Sequence, residues 1–186
     1  MKQINSEIGI AAAPSAVWEI LTGLDDFEYW NPFVIGAHGE VVVGEKLEVS
    51  IQMPGKRAQT FRPTVTVADE ERKFEWLGKL GVSGVFDGRH QYVLEPTTEG
   101  TKFIQREEFT GVLAGLLFWM IGEATREGFE AMNHALKERA EATVSERGRW
   151  DAKPDSRLTT SSRRPPPSLI ATDCRLPRCL RWQLIS

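Results

Sequence analysis

Residues 89–111 read RHQYVLEPTTEGTKFIQREEFTG, and the alternation in this stretch decides the fold. From Val85 to Glu95, and again from Thr101 to Thr110, side chains switch face at every position. Pro96–Gly100 (PTTEG) separates the two runs. Period-two alternation marks strands with one buried and one wet face, and a short turn between two such runs makes an antiparallel hairpin. Tyr92, Leu94, Phe103 and Phe109 share the apolar face. By parity His90, Gln105 and Glu107 point inward with them, while Arg89, Gln91, Arg106 and Glu108 point toward water.

Upstream, the same period persists. Lys46–Met53 places Leu47, Val49 and Ile51 on one face, and Met53–Arg57 turns around Pro54-Gly55. Phe61–Val67 alternates too, but Pro63 has no N–H to give and must leave this strand bulged or locally unpaired. Arg72–Gly78 carries Phe74 and Trp76 inward, and Gly81–Gly84 reads as a loop. At the start, Gln3–Ala11 is a strand. Pro14 suits the first position of a helix, Val17, Trp18 and Leu21 keep helical spacing, and Gly23 ends it. Asp25–Trp30 forms a second short helix that Asn31-Pro32 stops.

After Gly111 the period becomes helical. Leu113, Leu116, Met120, Ala124, Phe129, Met132 and Leu136 make an apolar face, opposed by Glu123, Arg126, Glu127, Glu130, Lys137 and Glu138. This helix is expected to run to about Glu141. Glycines at 115, 122 and 128 weaken it and permit a bend or the close approach of a neighbour. The expected architecture is α+β: a curved antiparallel sheet of about six to seven strands around a long C-terminal helix, with two short helices after the first strand.

Residues 1–144 carry 14 Lys and Arg against 22 Asp and Glu, a net charge of −8, which argues against a nucleic-acid surface. The most apolar run, Val112–Ile121, is half the roughly twenty residues a membrane span needs. With no apolar signal core or Arg-rich leader at the N-terminus, the expected location is cytoplasmic. Composition changes after Val144. Residues 145–186 are basic and hold five of the ten prolines, both cysteines (Cys174 and Cys179) and no Phe. The reading divides the chain into a ligand-binding domain, 1–144, and a disordered, basic, proline-rich tail, 145–186, whose native origin it leaves open.

The chain resembles the SRPBCC superfamily, also called START-like or birch-pollen-allergen-like, and within it the polyketide cyclase/dehydrase group. The residues that carry the likeness are APSAVWEIL (Ala13–Leu21), WNPF (Trp30–Phe33), Trp76-Leu77-Gly78, HQYVLEP (His90–Pro96) and GTKFIQREEFTG (Gly100–Gly111). Their order and spacing are the specific part, and they cover about residues 2–142. The resemblance implies a helix-grip fold with a deep apolar cavity between sheet and C-terminal helix. It does not imply one activity, because members bind lipids, sterols or polyketides, catalyse cyclisation or dehydration, or act as regulators.

Three functions stand open: a binder of a hydrophobic lipid, polyketide or aromatic molecule; a cyclase/dehydrase-type enzyme with His90 and Glu107 as acid and base; and a regulatory interaction module. Burial raises a carboxyl pKa and an imidazole tunes it, which suits proton transfer near neutral pH. Trp18, Trp30, Phe33, Phe74, Trp76, Tyr92, Gln105, Phe109, Met120 and Phe129 join His90 and Glu107 as candidate ligand contacts. An interaction module would expose an apolar patch near Val112–Met120, and a homodimer through the helix start or a sheet edge is compatible with the sequence. No HExxH, paired CxxC, GxSxG or glycine-rich phosphate loop occurs, so no metal and no cofactor are expected.

Overall fold

The computed structural model describes residues 2–79 and 84–151. The strands are β1 (Lys2–Ile10), β2 (Val34–His38), β3 (Glu48–Ile51), β4 (Gln59–Phe61), β5 (Thr64–Asp69), β6 (Lys73–Lys79), β7 (Asp87–Thr97) and β8 (Gly100–Thr110). The helices are α1 (Pro14–Thr22), α2 (Phe27–Trp30) and α3 (Ala114–Asp151), with a 3₁₀ turn at Leu24–Asp26. The class is α+β, as expected. Pro14 opens α1 and Gly23 closes it. Asn31 ends α2, and its Oδ1 accepts from the backbone N–H groups of Phe33 and Val34 at 3.0 and 2.9 Å.

The strands form two antiparallel sheets, ordered β1-β8-β7-β6-β5 and β2-β3-β4. The sequence pointed to a single curved sheet of about six to seven strands. The division falls at Pro63, between β4 and β5, where a residue without an N–H cannot continue the ladder. The two sheets still meet there: Leu47 N–H donates to Pro63 O at 2.9 Å, and Lys46 bridges Thr64. The expected loop at 81–84 lies mostly outside the described residues.

Helix α3 passes the expected end at Glu141 and runs through Val144 to Asp151, because no proline interrupts the chain before Pro154. Residues 152–186, the rest of the expected tail, lie outside the described residues. Phe129, Met132, Leu136 and Ala140 are fully buried. Asn133 Nδ2 donates to Ser6 Oγ at 3.0 Å and Lys137 Nζ to Gly9 O at 2.8 Å, tying the helix to β1. The expected apolar face is corrected at its start. Leu113, Leu116 and Met120 are exposed, with Trp119 at 82% and Val112 at 83%, and the continuous buried face begins only at Gly122.

Gly128 is where a neighbour comes close. A Cβ there would lie 2.0 Å from the Phe33 ring, which packs edge-on against Phe129 at 5.5 Å. On the outer face of the large sheet, Glu75 is buried and takes hydrogen bonds from Lys73 (2.7 Å), Arg89 (2.5 Å) and Thr66 (2.7 Å). Its neighbour in register, Gln91, was expected to face water and is also buried, because Glu75 and Arg106 flank it across the ladder.

Gly128→Ala should destabilise the protein by roughly 1–3 kcal/mol, although Ala favours an open helix position, because the Phe33 ring must move. Urea denaturation reads this directly. Burial pushes the Glu75 carboxyl up, but the bonds from Lys73, Thr66 and Arg89 outweigh it and hold the group below its ordinary value of 4.5. Its stabilising contribution is therefore complete above pH 4.5 and is lost as pH falls through the lower folded value. Glu75→Gln should cost roughly 1–3 kcal/mol at neutral pH, and the gap to wild type should close in acid.

Candidate functional site

The site is built on the rows of the large sheet's inner face. Register sets Ile4, Glu107, His90, Trp76 and Val65 side by side across the sheet. The next row is Ser6, Gln105, Tyr92 and Phe74, and the row on the other side is Phe109, Gly88 and Gly78. A strand aims every second residue at one face, so these rows point toward α3 together.

His90 is buried among three rings. Trp76 stacks on it at 4.8 Å, and Tyr92 and Phe129 meet it edge-on at 4.6 and 5.1 Å. Both imidazole nitrogens are engaged. Nδ1 lies 2.5 Å from Glu107 Oε2, and Nε2 lies 3.1 Å from Gln105 Nε2. A carboxylate only accepts, so Nδ1 carries the proton and Nε2 accepts from the Gln105 amide. Gln105 Nε2 and Tyr92 Oη both reach the Met132 sulfur, at 3.5 and 3.8 Å. Burial, and then the Glu107 charge, push the Tyr92 phenol well above its ordinary value, so it stays protonated.

Glu107 Oε1 lies over Gly88, where an added Cβ would meet it at 2.6 Å. Beside it opens a pocket of about 110 Å³ between the two sheets and α3. Its walls are mostly apolar: Phe33 before β2, Ile51 on β3, Trp76 on β6, Phe109 on β8 and Ile121 on α3. His90, Glu107, Thr125 and the exposed Lys79 supply its polar side chains, and Thr125 Oγ1 donates to Ile121 O at 2.8 Å.

Of the residues singled out in the sequence, Phe33, Trp76, His90, Glu107 and Phe109 line this pocket. Phe74, Tyr92, Gln105 and Phe129 lie buried behind it. Three sit elsewhere. Trp18 packs half-buried on α1, and Met120 is exposed before the buried face of α3 begins. Trp30 stacks edge-on against Phe27 and faces a separate surface groove with Asp26 and Arg139. Gly78, Gly88 and Phe86 line the pocket but were not singled out. Parity was the available signal for both glycines, since Gly78 follows Trp76 by two and Gly88 precedes His90 by two. Among the described residues, no group of three or more His, Cys, Asp and Glu gathers as a metal site. No described helix is long and apolar enough to cross a membrane.

A two-sheet wall, a long helix and a pocket between them define a helix-grip protein. The chain belongs to the polyketide cyclase/dehydrase and lipid transport family, whose profile matches residues 1–141. Among solved structures it is similar to the ZhuI aromatase/cyclase of Streptomyces sp. R1128, at 16% identity and a TM-score of 0.63 over 77% of this chain and 95% of that one. It is also similar to a START superfamily protein of Mycobacterium smegmatis, at 16% identity and a TM-score of 0.58 over 76% of this chain and 98% of the other. These likenesses concern the fold. A search of curated proteins gave no significant match.

Nitrogen-15 spectra of the neutral imidazole should place the His90 proton on Nδ1, with Nε2 unprotonated. A proton found on Nε2 would contradict the direction of the Gln105–His90–Glu107 chain.

Proposed function

We propose that the protein binds a small, largely apolar molecule in this pocket and that Glu107 Oε1 accepts the ligand's hydrogen-bond donor. The observation that supports this most directly is a carboxylate whose one oxygen is held by His90 while the other is turned to an apolar pocket. Pockets of this kind fix orientation with a few placed polar groups. The volume restricts the ligand. At about 110 Å³ the pocket is below the ~300–1,000 Å³ usual for drug-sized ligands. It suits a single ring, or one end of a longer molecule whose remainder lies outside.

A second reading, cyclase/dehydrase-type catalysis, has support from the same chain of contacts. In it Glu107 takes a proton from a carbon next to the ligand's carbonyl, and His90 holds the carboxylate in place through Nδ1–H. Both nitrogens of His90 are occupied, which favours Glu107 as the group that touches the ligand and His90 as a positioning residue. The aromatase/cyclase named among the similar structures is consistent with this reading at the level of fold. The exposed apolar start of α3 supports the third reading, an interaction module, independently of the pocket.

Native mass spectrometry of protein purified from its own host should show a bound small molecule released on denaturation. With that molecule in hand, Glu107→Gln separates the first two readings. A binder should lose affinity by roughly 10- to 100-fold, the value of one hydrogen bond to a charged group, with no chemistry in either form. An enzyme should convert the molecule in wild type and bind it without converting it in the variant. A ligand-free mass, with no binding recovered on adding cell extract, would overturn the ligand-site reading.

A further inference from the structure

We infer that Gly78, which faces Gly88 across β6 and β7, is the seat of a planar ring and sets the size of what the pocket accepts. This rests on the pocket being a ligand site and adds the shape of its occupant. The two glycines are direct partners across β6 and β7, and both line the pocket. Gly88 lies under the Glu107 carboxylate, and Gly78 beside it leaves bare backbone next to the row that carries Trp76 and His90. Stacked pairs flank the two glycines on both sides: Trp76 on His90 at 4.8 Å and 21°, and Phe86 on Phe109 at 5.4 Å and 20°. A floor of peptide planes between aromatic walls fits a flat group better than a puckered one.

The two glycines are bare for different reasons. At Gly88 the protein itself takes the space, because a Cβ would meet Glu107 Oε1 at 2.6 Å. At Gly78 it does not. Among the described residues an added Cβ would meet only Gly88 O, at 3.7 Å, which is ordinary contact. Glycine inside a strand weakens it and leaves nothing to pack, and it recurs where a ligand approaches the backbone closely. Among the described residues no side chain fills that space, and Gly78 lines the pocket. The occupant is an aromatic ring of single-ring size lying over Gly78, its donor directed at Glu107 Oε1. At about 110 Å³ the pocket is smaller than the cavity of roughly 150 Å³ that takes up benzene, which limits the occupant to one ring with part of it at the pocket's opening.

The test uses the full chain labelled with nitrogen-15, with phenol and cyclohexanol as probes. The two are close in size and carry one hydroxyl each; phenol is flat and also the stronger donor, so the Gly78 signal and the Gly78 variants decide what planarity contributes. Phenol should move the Gly78 amide signal upfield, the mark of a ring stacked on it. Cyclohexanol should bind at least about tenfold more weakly. Gly78→Val should weaken phenol binding by a similar factor while the rest of the spectrum stays dispersed. Should that variant fail to fold, Gly78→Ala, which the local space admits, should still weaken phenol measurably. Equal affinity for the two probes, or unchanged phenol affinity in the folded Gly78 variant, overturns the inference. Shifts at His90 and Glu107 that leave Gly78 unmoved overturn it while the pocket reading stands. A wild-type protein whose pocket signals respond to neither probe overturns both.

Discussion

Glu107 and His90 face each other across β7 and β8, and their 2.5 Å contact is the constraint around which the inner face is arranged. A carboxylate in an apolar wall is costly unless something holds it. Here the partner is the directly opposed residue of the same hairpin, so the register that forms the sheet also forms the pair. His90 in turn needs its second nitrogen satisfied, and Gln105, one row away, supplies the donor. The rings of Trp76, Tyr92 and Phe129 then exclude water from the imidazole. Even Gly88 follows from the pair, since any side chain there would displace the carboxylate.

Much of this was readable in the sequence because it depends on parity. The hairpin at 89–111 alternates cleanly, and alternation alone placed His90, Gln105 and Glu107 on one face with Tyr92, Phe103 and Phe109. The break at Pro63, the Pro14 and Gly23 limits of α1, and the close approach at Gly128 also followed from single residues with restricted chemistry. What parity does not give is depth. Phe74, Tyr92 and Gln105 point the right way but end behind the pocket, because how far a side chain stands from the pocket depends on how α3 crosses the sheet. The helix start misled for a related reason. Leu113, Leu116 and Met120 keep helical spacing, yet periodicity records only that residues share a face, not that anything covers it. Gly78 and Gly88 escaped notice because an absent side chain carries no polarity or size to flag.

The outer face shows a different use of charge. Glu75 is more fully enclosed than Glu107, and Lys73, Arg89 and Thr66 all converge on it. The three donors engage both oxygens, Thr66 and Arg89 on Oε1 and Lys73 on Oε2. On the inner face one oxygen of Glu107 is held and the other is turned to the pocket. The same residue type is thus tied by three side chains on one side of the sheet and by one on the other.

The division of the wall at Pro63 carries a consequence for descent. The large sheet holds the Glu107–His90 pair, while Val49, Ile51 and Phe61 of the small sheet form the opposite wall. Because the ladder does not run through Pro63, an insertion or a swapped side chain in β3 or β4 need not shift the register of β7 against β8. In descent, substitutions in the small-sheet wall can therefore leave the Glu107–His90 pairing across β7 and β8 in place.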